Sequence, residues 1–298
     1  MAARAVTIGT FDGFHLGHRH LADTLAAEAA LRSLEPLAIT FDCHPLAVLR
    51  PGSVPPLLGP RPLTALPGSP AEICTMHFDS DIAAMTARQF MQLLRERYNA
   101  RLLLMGFNNR IGSDGPADFE RYRRVGASEG IEVAGATPLV LPGGIAPSSS
   151  AIRKALGAGD ADAAAAMLGR PYALEGTSVP GKQNGRVIGF PTINLHTDPR
   201  RLVPAPGVYA GFIVPDAREP LPAVINVGRN PTVGAGNPLT VEGHAIDSVL
   251  PFDYGRGFTF LFAHRLRDER RFGSLDELKT AIAADVEHAR RLLQRYEM

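Results

Sequence analysis

The sequence predicts two folds in one chain: an α/β domain with a doubly wound parallel sheet over residues 1–169, then a small antiparallel β-barrel with a terminal helix over residues 170–298. Three observations predict this. The 298 residues exceed what one ordinary core holds. Short apolar runs alternate with helix-period segments as far as about residue 170, the pattern of a parallel sheet with crossover helices. After Pro171 the chain turns rich in Gly, Pro, Val and Thr, with short strand-like runs separated by turns.

In order, the first part offers a strand over Ala5 to Thr10, a helix from His18 to Ser33, a strand over Leu37 to Phe41, a helix from Thr86 to Tyr98 and a strand over Arg101 to Met105. The stretch Ser148 to Gly169 reads as helices, with serine caps, an Ala/Leu-rich body and a Gly-Asp break, and is expected to close the first domain. The second part offers strands at Val208 to Val214, Ala223 to Val227 and Phe258 to Phe262. At its end Ser274 stands as an N-cap three residues before Glu277, ahead of apolar residues at helical spacing, which predicts a terminal helix.

Composition narrows the partners. With 20% charged residues and a formal net charge of +1, no electrostatic reason exists for a nucleic-acid or membrane partner, whereas small polyanions need only a few local cations. Cys43 and Cys74 are too few for a disulfide framework or a thiolate metal site, and are expected to be small core residues. No apolar run reaches the roughly 18 residues of a membrane span, and the expectation is a cytoplasmic protein, monomeric or a weak homo-oligomer.

The first chemistry-bearing motif is GTFDGFHLGH, Gly9 to His18, passing from the first strand into a helix. Gly9, Gly13 and Gly17 let the backbone approach a ligand closely, and amide N–H groups at the helix start face an anion. In an open α/β sheet this is the carboxyl end of a strand, where ligands bind. His15 and His18 then reach phosphates and can stabilise charge on an α-phosphate as pyrophosphate leaves.

GTFDGFHLGH resembles the nucleotide-binding signature of bacterial bifunctional riboflavin kinase/FAD synthetases, within the wider HxGH nucleotidyltransferases. The similarity runs on through ITFDCHP (Ile39 to Pro45), MGFNNRIG (Met105 to Gly112) and PSSSAIR (Pro147 to Arg153). It implies ATP binding by Gly9, Phe11, Asp12, Gly17 and Asn108, a flavin contact at Asp42, and catalytic roles for His15, His18 and Arg153. Ser149 and Ser150 add hydroxyls and helix N-terminal amides, and the Arg153 guanidinium suits a phosphate in forked geometry. The sequence departs from the family at Asn108, Asn109 and Ile111, where an acid or amide is commonly followed by an aromatic or histidine and then a second aromatic. This removes ring-stacking surface.

In the second half, GTSVPGKQNGRVIGFPTINL, Gly176 to Leu195, is similar to the family's kinase signature, with Ile193 in place of the usual alanine. Thr192 and Asn194, two apart on a strand, share a face and offer hard oxygen ligands to Mg²⁺ bridging the ATP phosphates. Gly181, Lys182, Gly185 and Arg186 would fold over those phosphates. Glu242 in LTVEGHAID matches the family's catalytic glutamate and follows the NVGRNPT element, Asn226 to Thr232. Gly243 replaces a usual bulky residue and Ser248 a common aromatic. Arg267 and Phe272 are the matching flavin contacts.

The resemblance implies two reactions in sequence: ATP phosphorylates riboflavin to FMN in the barrel, and a second ATP adenylylates FMN to FAD in the first domain. The implied ligands are therefore ATP with Mg²⁺, riboflavin, FMN and FAD. Two other readings stay open at this point: a chain that keeps one activity only, and a flavin- or nucleotide-binding regulator without turnover.

Overall fold

The computed structural model describes residues 2–45, 54–58, 72–115, 118–181, 185, 188–216, 218–229, 239–248, 254–294 and 296. The chain forms two compact units, residues 1–56 with 60–147, and residues 57–59 with 148–298.

The first unit is built on β1 (Arg4–Ile8), β2 (Glu35–Phe41), β3 (Ile73–Met76), β4 (Ala100–Met105) and β5 (Glu132–Gly135), in the spatial order β3-β2-β1-β4-β5. Every pairing is parallel. Residues 5–8 of β1 and 102–105 of β4 are all buried, as a central parallel strand covered on both faces requires. The helices are α1 (Leu16–Leu31), α2 (Ser80–Ala84), α3 (Ala87–Tyr98) and α4 (Phe119–Ser128). Thr86 starts α3 through a reciprocal capping box with Gln89, and Asn99 ends it in the left-handed region at φ 51°. The core joins Val6, Leu37, Ile39 and Leu103 of the sheet to Phe90, Met91 and Leu94 of α3. β3, β5, α2 and α4 are additions to the sequence expectation.

The strand order sets the place of chemistry. From β1 the chain moves to β2 and β3 on one side, then crosses to β4 and β5 on the other. The loops leaving the carboxyl ends of β1 and β4 therefore diverge around the topological switch point, where ligands of such sheets bind.

The second unit opens with α5 (Ser149–Ala158) and α6 (Ala161–Leu168), followed by β6 (Tyr172–Val179), β7 (Ile193–His196), β8 (Gly207–Pro215), β9 (Leu221–Arg229), β10 (Leu239–Ala245), β11 (Gly257–Arg267) and α7 (Leu275–Leu293). The six strands close into an antiparallel barrel, β10-β7-β6-β11-β8-β9. Ser148 caps α5 by accepting from the Ala151 amide, and Ser274 caps α7 by accepting from Glu277. The α5–α6 pair, expected to close the first domain, packs with the second unit, α6 lying against β6 and β11.

α7 covers the outer face of β8 and β9, with Val286, Ala289 and Leu293 against Val208, Ala210, Phe212 and Val224. This explains why residues 207–213 of β8 are buried on both faces. Gly243 faces the barrel interior, where an added Cβ would meet Ile213 and Phe260 at 2.7 and 2.8 Å. Those side chains fill the space, so the glycine leaves no hole where the family carries bulk. Both cysteines are free and half-buried: Cys74 packs against the core of the first unit, its Sγ 3.7 Å from the Tyr98 hydroxyl, and Cys43 Sγ lies 3.6 Å from the Phe78 carbonyl.

Candidate functional site

In the first unit the loop from Gly9 to His15 bridges β1 and α1. Phe11, Gly13 and Phe14 all sit at positive φ (47°, 83° and 35°), an uncommon conformation for two phenylalanines that their burial holds in place. The loop folds back on itself, with the Phe14 amide donating to the Phe11 carbonyl at 2.9 Å. The Gly9 amide ties it to β2 by donating to the Ile39 carbonyl at 3.1 Å.

His15 is the N-cap residue of α1 and its side chain makes no capping bond. His15 and His18 stack with ring centroids 3.7 Å apart, and Phe11 meets His18 edge-on at 5.3 Å. A Cβ on Gly17 would lie 3.1 Å from the His15 ring and 3.1 Å from the Pro147 carbonyl, so glycine lets the imidazole fold against the helix start. Burial, then the neighbouring His15, hold the His18 imidazole well below its ordinary value of 6.5, keeping it neutral near pH 7. Its Nδ1 is buried without a hydrogen-bond partner among the described residues. So is Nε of Arg19, one turn beyond His15 on the same helical face. Arg19 had no part in the sequence reading. The spacing of four residues from His15 was the available signal.

Asn108 lies exposed in the loop leaving β4, across the switch point from this motif. Its neighbour Asn109 donates from Nδ2 to the Ile8 carbonyl at 2.6 Å, clamping that loop to the end of β1. Ile111 is buried, and its amide and carbonyl both hydrogen-bond the Tyr122 hydroxyl at 3.0 Å. Asn109 and Ile111 are thus structural members of the loop rather than substitutes for stacking rings. Asp42 ends β2 with both carboxylate oxygens engaged, one by His77 Nδ1 and one by the Phe78 amide at 3.0 Å. Those two bonds hold its carboxyl below the usual range, and the hydrogen bond to Asp42, with the carboxylate's charge, raises the His77 imidazole. Asp12 is buried within the Gly9–His15 loop. Ser149, Ser150 and Arg153 occupy the first turns of α5 in the second unit.

In the barrel the register brings the second set together. Glu242 of β10 lies opposite Asn194 of β7 on one side and Asn226 of β9 on the other. Directly opposed residues share a face, and here the flanking Val241, Gly243, Ile193, Ile225 and Val227 are buried, so the three polar side chains lie on the outer face. Thr192 stands immediately before β7, two residues from Asn194.

The glycine loop presses on this set. A Cβ on Gly181 would lie 2.1 Å from Asn194 Nδ2, and one on Gly185 would meet the Phe190 carbonyl at 2.3 Å and Thr192 Cγ2 at 3.5 Å. Lys182 and Arg186 fall outside the described residues. His244 Nδ1 lies 2.9 Å from the Pro191 carbonyl and its ring meets Phe190 edge-on at 5.3 Å, fixing the segment before Thr192.

Arg267, expected at the flavin, is committed elsewhere. Its Nε and Nη2 hold the buried Asp285 of α7 at 2.9 and 2.7 Å, and Nη1 donates to the Asp268 carbonyl. Phe272 lies beneath Arg267 and Arg270, whose guanidinium carbons are 5.8 and 4.8 Å from the ring centroid, and lines a cleft of about 620 Å³ at the start of α7.

A family model for FAD synthetase matches residues 2–150, and one for riboflavin kinase matches residues 168–293. A bifunctional riboflavin kinase/FMN adenylyltransferase of Escherichia coli K12 is 36% identical over 94% of this chain and 90% of its own length. The chain belongs to the bifunctional riboflavin kinase/FMN adenylyltransferase family. A Pseudomonas fluorescens member is 32% identical over 96% of this chain and 92% of its own. A crystal structure from Streptococcus pneumoniae, described as a macrolide-efflux protein, superposes with a TM-score of 0.84 at 28% identity, covering 100% of this chain and 96% of that one. Among the described residues no helix is long and apolar enough to cross a membrane. The family carries two activities, riboflavin kinase and FMN adenylyltransferase, and the two matched regions supply one domain for each.

Proposed function

We propose that the chain carries two ATP-dependent steps through the residues named above, with the adenylyltransferase half assigned to residues 1–169 and the kinase half to 170–298. In the kinase step the Glu242 carboxylate accepts the proton of the terminal ribityl hydroxyl as that oxygen attacks the γ-phosphorus of ATP. The β,γ-bridging P–O bond breaks, and FMN and ADP leave. Thr192 and Asn194 would hold the Mg²⁺ that accompanies ATP. No cluster of three or more His, Cys, Asp or Glu exists among the described residues, and a hydroxyl plus a carboxamide oxygen suit a cation that keeps water and phosphate oxygens as its main ligands. When bound, that ion neutralises phosphate charge. The backbone at Gly181 and Gly185 faces the phosphates, and Lys182 and Arg186 are assigned to them by the family signature.

In the adenylylation step an FMN phosphate oxygen attacks the α-phosphorus of a second ATP, and pyrophosphate departs with the electrons of the broken P–O bond. The nucleophile is already anionic, so the site has to orient reactants and stabilise charge rather than remove a proton. Gly9, Phe11, Asp12 and Gly17 shape the nucleotide bed, and His15 and His18 offer imidazole donors to the phosphates. Asn108 hydrogen-bonds the nucleotide from the β4 loop, and Arg19 adds a cation. Ser149, Ser150 and Arg153 are assigned to the triphosphate by the family signature. Asp42 acts on the flavin side through the His77 it orients, and Phe272 offers its ring in the barrel.

The observation that carries this reading is that each unit holds its own set, the stacked imidazoles at the switch point of one and the Asn194–Glu242 pair on the barrel of the other. The test is to supply riboflavin, ATP and Mg²⁺ and follow nucleotide products. The expected result is ADP and pyrophosphate in equal final amounts with FAD as the flavin product. ADP without pyrophosphate reduces the chain to a kinase, and binding without either product makes it a sensor.

A further inference from the structure

The outer face of the barrel carries a continuous cross-strand row whose order has consequences for how the kinase substrates lie. Through successive registers Asn194 pairs with Glu242, Glu242 with Asn226, Asn226 with Val208, and Val208 with Arg267. The row therefore runs from a carboxamide under the glycine loop, through the carboxylate, to a second carboxamide, and then into the apolar surface covered by α7. With strands roughly 4.8 Å apart, Asn194 and Asn226 stand about 10 Å from each other with Glu242 midway.

Neither carboxamide hydrogen-bonds another described side chain or backbone group, although both are half-buried between buried neighbours. A half-buried amide held on a rigid strand without a partner is an arrangement that a ligand completes. Gly228, two residues on along the same face of β9, is buried beneath the Glu269 carboxylate beside Asn226. A Cβ there would meet Glu269 Oε1 at 2.3 Å and Asn226 Nδ2 at 3.1 Å.

The two ends of the row differ in chemistry. On the Asn194 side stand Thr192 and the glycine loop, the phosphate-donor end. On the Asn226 side, past Val208 that α7 covers, stands Phe272 lining the cleft at the start of α7, suited to an acceptor with a polar chain and a flat apolar ring. We propose that Asn226 is the acceptor-side residue of the kinase site, hydrogen-bonding the polyhydroxylated chain of the alcohol substrate so that its terminal oxygen meets Glu242. This rests on the kinase reading above. It divides the row into donor, base and acceptor positions, in that order.

The test uses the full-length chain and two variants, with FMN adenylylation by the same molecule as the check on folding. Asn226→Ala is expected to raise the KM for riboflavin about tenfold, the value of one hydrogen bond to a buried partner, with the KM for ATP unchanged. Asn226→Asp sets a second carboxylate about 5 Å from Glu242 and is expected to move the acidic limb of the kinase pH profile upward, because like charges raise the pKa of the base. A riboflavin KM equal to that of the wild type, a proportional rise in the KM for ATP, or an unmoved pH profile in Asn226→Asp overturns the assignment. A wild-type chain with no kinase activity overturns the reading beneath it instead, so the two failures are distinguishable.

Discussion

Replacing Gly181 by alanine separates site geometry from stability. The added methyl carbon would stand 2.1 Å from Asn194 Nδ2 and 2.6 Å from its Cγ, where ordinary contact begins near 3.4 Å. The obstacle is the end of a side chain rather than backbone, so the carboxamide swings aside and the barrel keeps its fold. The carboxamide must retreat by about 1 Å, and a displacement of that size at a group positioning a reacting phosphate costs about 10²-fold in rate. Initial rates of FMN formation from riboflavin should therefore fall about 10²-fold in kcat/KM, while FAD formation from supplied FMN and the unfolding midpoint stay at wild-type values. Because the effect passes through Asn194, Gly181→Ala should add little in an Asn194→Ala background, a non-additivity that a double-mutant cycle measures. A kinase rate equal to the wild type, or a full additive loss in the double variant, refutes the argument that Gly181 is present to seat Asn194.

The His18 imidazole titrates below its unfolded value near 6.5, so its contribution to stability is intact above that pH and is lost as pH falls towards the folded pKa. His18→Gln should flatten that part of the acid limb in thermal unfolding between pH 7 and about 5, and an unchanged limb contradicts the assigned burial. Asp285→Ala leaves the Arg267 guanidinium without its buried partner and should destabilise the second unit by about 3 kcal/mol in urea unfolding. Gly243→Val drives a side chain into Ile213 and Phe260 and should cost about 1–3 kcal/mol, with part of the loss recovered by Phe260→Leu.

The sequence revealed most where local chemistry and periodicity agree. Thr86 with Gln89, Ser148, and Ser274 with Glu277 mark helix starts because each leaves orphan amides that only a nearby side chain satisfies. The buried strands β1 and β4 stood out as unbroken apolar runs. The edge strands β3 and β5 are four residues long, too short for either period to register. The α5–α6 pair reads as helical from its own residues, but β11, against which α6 packs, is remote in sequence.

The same division holds at the sites. Histidine spacing and the glycines expose the loop from Gly9 to His18, since helix geometry fixes what three residues' separation means. The alignment of Asn194, Glu242 and Asn226 depends on the register of three strands far apart in sequence, which no local pattern encodes. Arg267 illustrates the converse. Its place in a recognisable motif pointed to a ligand, whereas Asp285, eighteen residues later on α7, takes up its Nε and Nη2.

We propose that one chain holds two ATP sites that fail independently. The direct measurement is chromatographic separation of flavins made by the wild type, His18→Ala and Glu242→Ala, each given ATP and Mg²⁺ with riboflavin or with FMN. His18→Ala is expected to stop at FMN, while Glu242→Ala leaves riboflavin unconverted and still turns supplied FMN into FAD. Loss of both conversions in either variant, with the fold intact, would contradict it.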